Sequence, residues 1–129
     1  MNLESGLFAF LVADKRIAQL AGSRIYPLLI PQEAALPAIA YQLISTTRGM
    51  AHDGPTGLAS ATMQLSIQAE SYDGTKDLAE ALRLALHGYS GPMGSVEIEL
   101  CRLDMELDSY IFETDAKVLR QDYLILYKE

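Results

Sequence analysis

Three prolines punctuate two β-like runs in Arg24-Ile-Tyr-Pro-Leu-Leu-Ile-Pro-Gln-Glu-Ala-Ala-Leu-Pro-Ala-Ile-Ala-Tyr-Gln-Leu-Ile-Ser45. Proline lacks a backbone donor and holds φ at about −65°, so Pro27, Pro31 and Pro37 do not fit inside a helix or a central strand. This rhythm predicts a short strand, an extended crossing and a second strand. We expect the first strand, from Ile25 to Ile30, to lie at a sheet edge.

Two segments outside this stretch have helical periodicity. Apolar residues recur at three- and four-residue steps over residues 2–21, which predicts one helix with a break or a short second turn, ending at Gly22. Residues 73–87 have the same spacing and predict a second helix, with Asp73 or Thr75 as its cap. Both patterns are amphipathic, so we expect both helices to lie on a sheet.

Alternation of apolar and polar residues marks the next strands. It runs from Ala38 to Thr47 and again from Ala59 to Ser71, where one face is apolar and the other carries neutral amides and hydroxyls until Glu70. A neutral face can accept another subunit without burying charge. Residues 49–58 carry three glycines and a proline without periodicity, which predicts a long, flexible hairpin arm.

The last third of the chain predicts two further strands. Apolar residues alternate over 96–100 and, on the opposite phase, over 103–107, so we predict a β-bulge near Cys101-Arg102. A polar connection is expected over 108–116, followed by a strand over 117–128 whose end is apolar on both faces. Such a strand lies centrally in a sheet or is covered by a helix or a neighbouring chain.

Together these elements predict the fold class. We expect a single α+β domain over residues 1–129, with a mostly antiparallel sheet, two helices packed on one face and a long flexible hairpin arm. The other sheet face must then meet solvent or a partner. Five carboxylates alternate with apolar neighbours in the penultimate strand, and we predict that they form one solvent-facing stripe: Glu97, Glu99, Asp104, Glu106 and Asp108.

Composition limits the function classes. The net charge of −7 disfavours nucleic-acid binding, which gains most of its free energy from Lys and Arg, although an acidic wall is compatible with a channel through which DNA slides. No apolar run approaches the roughly 18 residues that cross a bilayer, so we predict a soluble protein without a membrane partner. One cysteine and no signal-peptide pattern predict the cytoplasm.

No motif predicts catalysis, a cofactor or a metal. Arg48, His52 and Asp53 are close in sequence, but adjacent residues of a strand or loop point apart and no nucleophile lies beside them. Cys101 fits a buried structural thiol, and His87 in the last turn of a helix suits the helix dipole. The sequence has neither metal-ligand spacings nor a glycine-rich phosphate motif, so we predict no catalytic, cofactor or metal residues.

Several segments resemble the tail-completion, or tail-terminator, proteins of long-tailed bacteriophages. The most specific is the proline rhythm followed by an aromatic strand, and the resemblance extends over nearly the whole chain. One departure is the strand before the second helix, which lacks an aromatic residue near Ala69. The matching segments are Arg24-Ile-Tyr-Pro27, Pro31 to Ser45, Ser71 with the helix that ends in Leu82-Arg-Leu-Ala-Leu-His-Gly88, and Arg120-Gln-Asp-Tyr-Leu-Ile125.

This resemblance implies a structural virion protein, made in the host cytoplasm and then placed at the head-tail junction. It implies that copies form a ring, typically a hexamer, which caps the tail tube, stops its polymerisation and meets the head connector. The expected partners are therefore other copies, a tail-tube protein and a head-connector protein. A closed ring needs a heterologous interface. We predict that the arm and the terminal strand supply it through Arg48, Met50, His52, Asp53, Pro55, Leu124 and Leu126.

A function of another class remains open at this point. A dimeric α+β domain could use the uncovered sheet face as a pocket for a small ligand or a regulator. A stable dimer with a bound metabolite would favour that function, whereas a ring or a concentration-dependent oligomer would favour the tail protein. An enzyme would require a convergent group of reactive side chains that the sequence does not show.

Overall fold

The computed structural model describes residues 2–111 and 116–129. The strands form one curled, half-barrel sheet in the order β1-β2-β3-β6-β5-β4, in which β1 and β2 are parallel and the other neighbours antiparallel. The elements of these residues are α1 (Leu3–Ala13), α2 (Lys15–Ala21), β1 (Ile25–Pro27), β2 (Ala38–Ala51), β3 (Gly54–Ala69), α3 (Tyr72–Leu86), β4 (Gly91–Met93), β5 (Val96–Ile111) and β6 (Ala116–Lys128).

The α+β class holds, but the prediction of two helices on the sheet is wrong because the described chain has three. The predicted break in the first helix is a full restart at Asp14. Its carboxylate accepts the N–H groups of Arg16 and Ile17, both at 3.0 Å, and so caps a new helix. Capping of this kind lets the apolar spacing continue across a point where the helix itself is interrupted.

The third helix starts earlier than predicted. Ser71 is its cap, because the Ser71 hydroxyl accepts the N–H of Gly74 at 3.0 Å, whereas Asp73 and Thr75 lie inside the helix. The helix ends at Leu86, close to the predicted end. No helix within the described ranges is long and apolar enough to cross a membrane.

The proline-rich stretch forms the predicted strand, crossing and strand. β1 is short, lies at the sheet edge and is held to β2 at both ends. The N–H of Ile39 donates to the carbonyl of Arg24 at 2.9 Å, and the N–H of Leu28 donates to the carbonyl of Tyr41 at 2.8 Å. β1 ends at Pro27, before the predicted end at Ile30, because proline has no backbone donor with which to continue the pairing.

The flexible hairpin arm that we predict over residues 49–58 is a hairpin whose two strands pair with each other on both sides of a register shift. β2 and β3 continue into this segment and pair Met50 with Pro55 and Ala51 with Gly54, which leaves His52-Asp53 as a two-residue turn. Backbone groups of the two strands satisfy one another here, so the ladder needs no apolar alternation. Side-chain periodicity is therefore a poor guide in this part of the chain.

The sheet has two unlike faces. The three helices cover one of them, the covered face, where buried apolar side chains of helices and strands form a cluster. β3 alternates as predicted, with Ala61 to Ala69 in steps of two on the covered face. The opposite, uncovered face carries Gln42, Ser45 and Thr47 of β2, Ser60, Thr62, Gln64, Ser66 and Gln68 of β3, Leu100, Arg102, Met105 and Leu107 of β5, and Arg120, Asp122, Leu124 and Leu126 of β6.

Register shifts in β5 decide which of its side chains reach each face. One lies between Ile98 and Leu100 and the other between Leu103 and Met105, so the prediction of one bulge at Cys101-Arg102 is wrong. Each extra residue reverses the side-chain phase. Cys101 is therefore buried on the covered face, whereas three large apolar side chains of β5 are exposed on the uncovered face: Leu100, Met105 and Leu107.

The same shifts split the predicted acidic stripe. All five carboxylate residues are exposed, as predicted, but they do not share one face. Glu106 accepts a hydrogen bond from the covered-face residue Gln121 at 2.8 Å, and Asp108 accepts one from Lys76 of α3 at 2.9 Å. Glu99, by contrast, lies at a register shift and forms an ion pair with Lys128 at 3.0 Å.

A buried polar network ties β6 to α3 and β5. Gln121 is fully buried, and its amide nitrogen donates to the carbonyl of Ala79 at 3.1 Å and to the carboxylate of Glu106. Its amide oxygen accepts the hydroxyl of Tyr123 at 2.9 Å. Buried side-chain polar atoms in the described ranges all have a partner. The network is therefore fully satisfied, which is the condition under which buried polar groups stabilise one arrangement.

The terminal strand is central, which is one of the two alternatives that its two-sided apolar end leaves open. β6 lies between β3 and β5 and pairs with both along most of its length. The predicted polar connection before it is shorter than expected, because residues 108–111 continue β5 and Ala116 begins β6. Residues 112–115 lie outside the described part of the chain.

Candidate functional site

The hairpin arm extends beyond the body of the sheet. β6 pairs with β3 only as far as Leu58, so the paired residues beyond it on β2 and β3 have only each other. Gly49 sits at a register shift where an added Cβ would collide with the hydroxyl oxygen of Thr56, so the two strands approach too closely there for a side chain. Met50 stands out from this arm with 74% of its surface exposed.

A groove of about 680 Å³ lies where the arm joins the sheet. Its apolar part comes from three strands that are far apart in sequence, since Met50, Leu58 and Leu126 belong to β2, β3 and β6. Thr47 and Ser60 add hydroxyls beside them. The pairing of Ser60 with Leu126 across β3 and β6 places both side chains on the uncovered face, so the groove opens on that face.

The charges around the groove are paired with one another. Arg48 donates to the carboxylate of Glu129 at 2.8 Å, which raises the pKa of the Arg48 guanidinium, and Lys128 contacts Glu99 at 3.0 Å. Exposed pairs of this kind contribute little to stability. Their effect here is local: a partner that covers the groove meets neutralised charges at the rim and apolar atoms on the floor.

Apolar side chains continue from the groove along the uncovered face. Leu100 pairs with Leu126 across β5 and β6, and Leu124 lies opposite Arg102 on the same face. Met105 and Leu107 follow on β5, with 50% and 39% of their surfaces exposed. Large apolar side chains grouped on one face are typical of a contact surface, whereas scattered ones are ordinary.

The middle of the uncovered face is polar and nearly neutral. The β3 side chains there are hydroxyls and amides, and Gln64 donates to the carboxylate of Asp122 at 3.1 Å. On the covered side of the sheet, Lys76 and the Tyr72 hydroxyl donate hydrogen bonds to the carboxylate of Asp108 and lower its pKa. The β3 part of the uncovered face can therefore be desolvated at low cost compared with a charged surface.

The structure brings together three of the seven predicted interface residues. Arg48, Met50 and Leu126 line the groove, although they come from two distant segments. The others lie nearby: His52 and Asp53 form the turn of the arm, Pro55 pairs with Met50, and Leu124 is half-buried on the uncovered face. Their role as an interface stays a prediction.

Sequence reasoning misses the apolar residues contributed by β3 and β5. Leu58 falls in the segment predicted as a flexible arm. Leu100, Met105 and Leu107 are predicted as strand residues, but the sequence does not place them on the uncovered face. The change of apolar phase between Leu100 and Leu103 is the signal that could have found them. The shift between Leu103 and Met105 places all three on the same face, and the shift between Ile98 and Leu100 makes it the uncovered face.

The residues considered for catalysis do not come together. Cys101 is buried, and this burial raises the pKa of its thiol to about 12, so the reactive thiolate is disfavoured. Cys101 aligns through Ile125 with Ala61, seven residues from Gly54 at the arm turn, or about 23 Å at the rise of a strand. His52 and Asp53 therefore lie far from the thiol.

The second histidine has a structural partner. Nδ1 of His87 accepts the N–H of Leu103 at 2.9 Å and so closes part of the β5 edge. The described residues contain no group of three or more His, Cys, Asp or Glu side chains that could hold a metal ion. The arrangement presents a surface for contact, built by the arm, the groove and the apolar side chains of the uncovered face.

Comparisons with known proteins agree with this architecture. Residues 5–128 match the family model described as tail completion protein gp17. A chain in the solved virion of a native gene transfer agent particle has a TM-score of 0.82 to this structure, at 16% sequence identity, over 98% of this chain and 95% of that one. At this identity the structural match shows a shared fold. No curated protein matches the chain.

Proposed function

The chain belongs to the tail completion protein family, a family of structural tail proteins, and we propose that it caps the tail tube as a ring and joins the tail to the head connector. Its partners are then other copies of the chain, a tail-tube protein and a connector protein. The proposal places it in the virion, at the end of the tail that meets the head. Assembly in the host cytoplasm precedes that location.

The groove at the base of the arm carries this proposal. It collects apolar side chains from β2, β3 and β6 at one end of the uncovered face, and its surrounding charges are already paired. Surfaces with an apolar centre and a neutral, polar rim are typical of protein contacts. A long arm beside such a surface offers additional contact area without a bond-making centre.

The two ends of the sheet present different structural elements, which supports a terminator. The arm end presents Met50 and the groove, whereas the other end carries the proline-rich loop with exposed Leu28 and Leu29. A ring that matches a tube subunit at one end and not at the other adds to the tube once. Further tube subunits then find no matching surface.

Cells that produce the particle provide the test. Leu126→Asp and Met50→Asp place a carboxylate in the groove and should give separated heads and tails of irregular length in electron micrographs. Leu84→Asp is the matched control, because Leu84 is exposed on α3, away from the groove. Deletion of the chain should give the same defect as the groove variants. If cells that lack the chain still produce complete, head-attached tails of normal length, the proposal is wrong.

A dimeric small-ligand protein is the alternative that one observation favours. The groove volume of about 680 Å³ falls within the range of small-molecule pockets, about 300–1,000 Å³. Such pockets usually have a few polar groups directed at the ligand, whereas the charged groups here are directed at each other. Native mass spectrometry separates the alternatives, since a dimer with a retained metabolite would support the ligand protein.

A further inference from the structure

We propose that neighbouring copies of this chain pair the open edge of β5 with the open edge of β2, so that the half-barrels continue as one sheet. This inference rests on the proposed ring and names the contact that builds it. Half a barrel has two edges, and an edge presents backbone N–H and C=O groups ready to pair with another strand. Both edges here are open over half of their length.

The β2 edge is open towards the arm. β1 occupies this edge only beside residues 39–41, and in the described chain no strand pairs with the same side of β2 from Leu43 to Ala51. Ile39 and Tyr41 direct their backbone groups towards β1. Hydrogen-bonding direction alternates along a strand, and after the shift at residue 44 the outward groups belong to Thr46 and Arg48.

The β5 edge is open at its other end. β4 pairs with residues 96–98, the segment after α3 bonds Cys101 on both backbone groups, and His87 bonds the N–H of Leu103. Beyond that point no strand of the described chain covers this side. Hydrogen-bonding direction alternates along β5 as well. After the shift at residue 104, the residues whose backbone groups point outward are Glu106 and Asp108.

Topology makes the two open edges partners. They lie on opposite sides of the sheet and at opposite ends, so contact between them is heterologous, as a ring requires. β2 and β5 run in opposite directions, so copies in the same orientation pair as an antiparallel ladder. The offset lets β4 and β1 pass without collision, and strand tilt absorbs this offset as it does in closed barrels.

Charge selects β2 as the partner of β5. The open part of β5 carries Asp104, Glu106 and Asp108 without a basic residue, although Arg102 pairs with Asp104 and Lys76 with Asp108. Pairing of two β5 edges would still set two acidic strands side by side. Residues 42–51 of β2 carry no acid and one base, Arg48. Pairing of β5 with β2 therefore avoids like charges, which favours a second copy's β2 over a second copy's β5.

The experiment removes one donor from each edge. Thr46→Pro and Glu106→Pro each delete an outward N–H, which an edge strand tolerates. Lys15→Pro is the matched control, since Lys15 is exposed in the first position of α2, where proline is compatible with the helix. Native mass spectrometry at the highest soluble concentration should show closed oligomers for the wild type and Lys15→Pro. Each edge variant alone should be monomeric.

An equimolar mixture of the two edge variants gives the sharpest result. One variant retains an intact β5 edge and the other an intact β2 edge, so the mixture should stop at a dimer that contains one of each. Thermal unfolding checks that the variants fold. If Thr46→Pro does not fold, Thr46→Glu keeps the donor and should block assembly by like charge. A monomeric wild type, edge variants that assemble fully, or a dimer of one variant alone would overturn the inference.

This outcome is separate from that of the tail function. Closed oligomers that depend on both edges, together with complete tails in cells that lack the chain, would refute the proposed function and leave the edge pairing standing. Defective tails in those cells, together with rings that form from the proline variants, would refute the edge pairing alone.

Discussion

The covered and uncovered faces of the sheet are built from the same strands but follow different rules. On the covered face, Leu119, Tyr123 and Ile125 of β6 are buried under helices, and Gln121 among them has all its hydrogen-bonding groups satisfied. On the uncovered face, Leu124 and Leu126 of the same strand stay half-buried or exposed. The comparison teaches that one strand places alternate residues in the core and on a surface that is free for contact.

The largest expected effect contrasts two leucines of β6. Leu119→Ala removes a fully buried side chain and should lower the free energy of unfolding by about 2–5 kcal/mol. Leu126→Ala removes a side chain with 37% of its surface exposed and should cost less than about 1 kcal/mol. Urea denaturation of both variants measures the difference. Equal losses in the free energy of unfolding would show that both faces contribute alike to stability.

The buried amide gives the next largest effect. Gln121→Leu leaves the Tyr123 hydroxyl without its partner and should cost about 1–3 kcal/mol. Tyr123→Phe likewise leaves the amide oxygen of Gln121 without its hydrogen-bond donor. The double variant should cost less than the sum of the two, because both polar partners are then gone. Additive losses in a double-mutant cycle would argue against the network.

Alkaline pH tests how well the covered face excludes water. The folded protein keeps the Cys101 proton up to a pKa of about 12, whereas the unfolded chain releases it near its ordinary value. Raising the pH from about 8 to 9.5 should therefore favour unfolding, by at most about 1.4 kcal/mol per unit. Cys101→Ala should flatten this slope in urea titrations, although the variant loses packing at every pH. An unchanged slope would show that the thiol is accessible in the folded protein.

The smallest effect is expected on the arm. Met50→Ser should change the free energy of unfolding by no more than about 0.5 kcal/mol, because the side chain is mostly exposed. Leu84→Ser on α3 is the control and should behave alike in thermal unfolding. A large loss for Met50→Ser alone would mean that the arm is part of the core, which would blur the division between the faces.

Sequence patterns predict the covered face far better than the uncovered one. The prolines between Pro27 and Pro37 and the alternation of β3 each depend on local backbone chemistry, so the short edge strand and the inward face follow from them. The face of Leu100 depends on register shifts, and register depends on the partner strand. A single sequence does not reveal which strand is that partner or in which register it pairs.

The arm shows a second limit. Glycine and proline around Pro55 predict a flexible hairpin arm without periodicity, yet the two strands pair with each other there. Close approach at Gly49 makes this ladder possible, and composition alone does not distinguish such a glycine from one in a loop. The groove was predictable only in part, because Arg48, Met50 and Leu126 are visible in the sequence as candidates but their convergence is a property of the sheet.

Methionine oxidation tests most directly whether the uncovered face is the contact surface and the covered face the core. Met50 and Met105 are exposed on the arm and the uncovered face, while Met63 and Met93 are buried in the core. Mass spectrometry after peroxide treatment should find the first pair oxidised in the free chain and protected in assembled particles, with the second pair protected in both. Equal oxidation of Met50 and Met105 in the free chain and the particle would contradict the account.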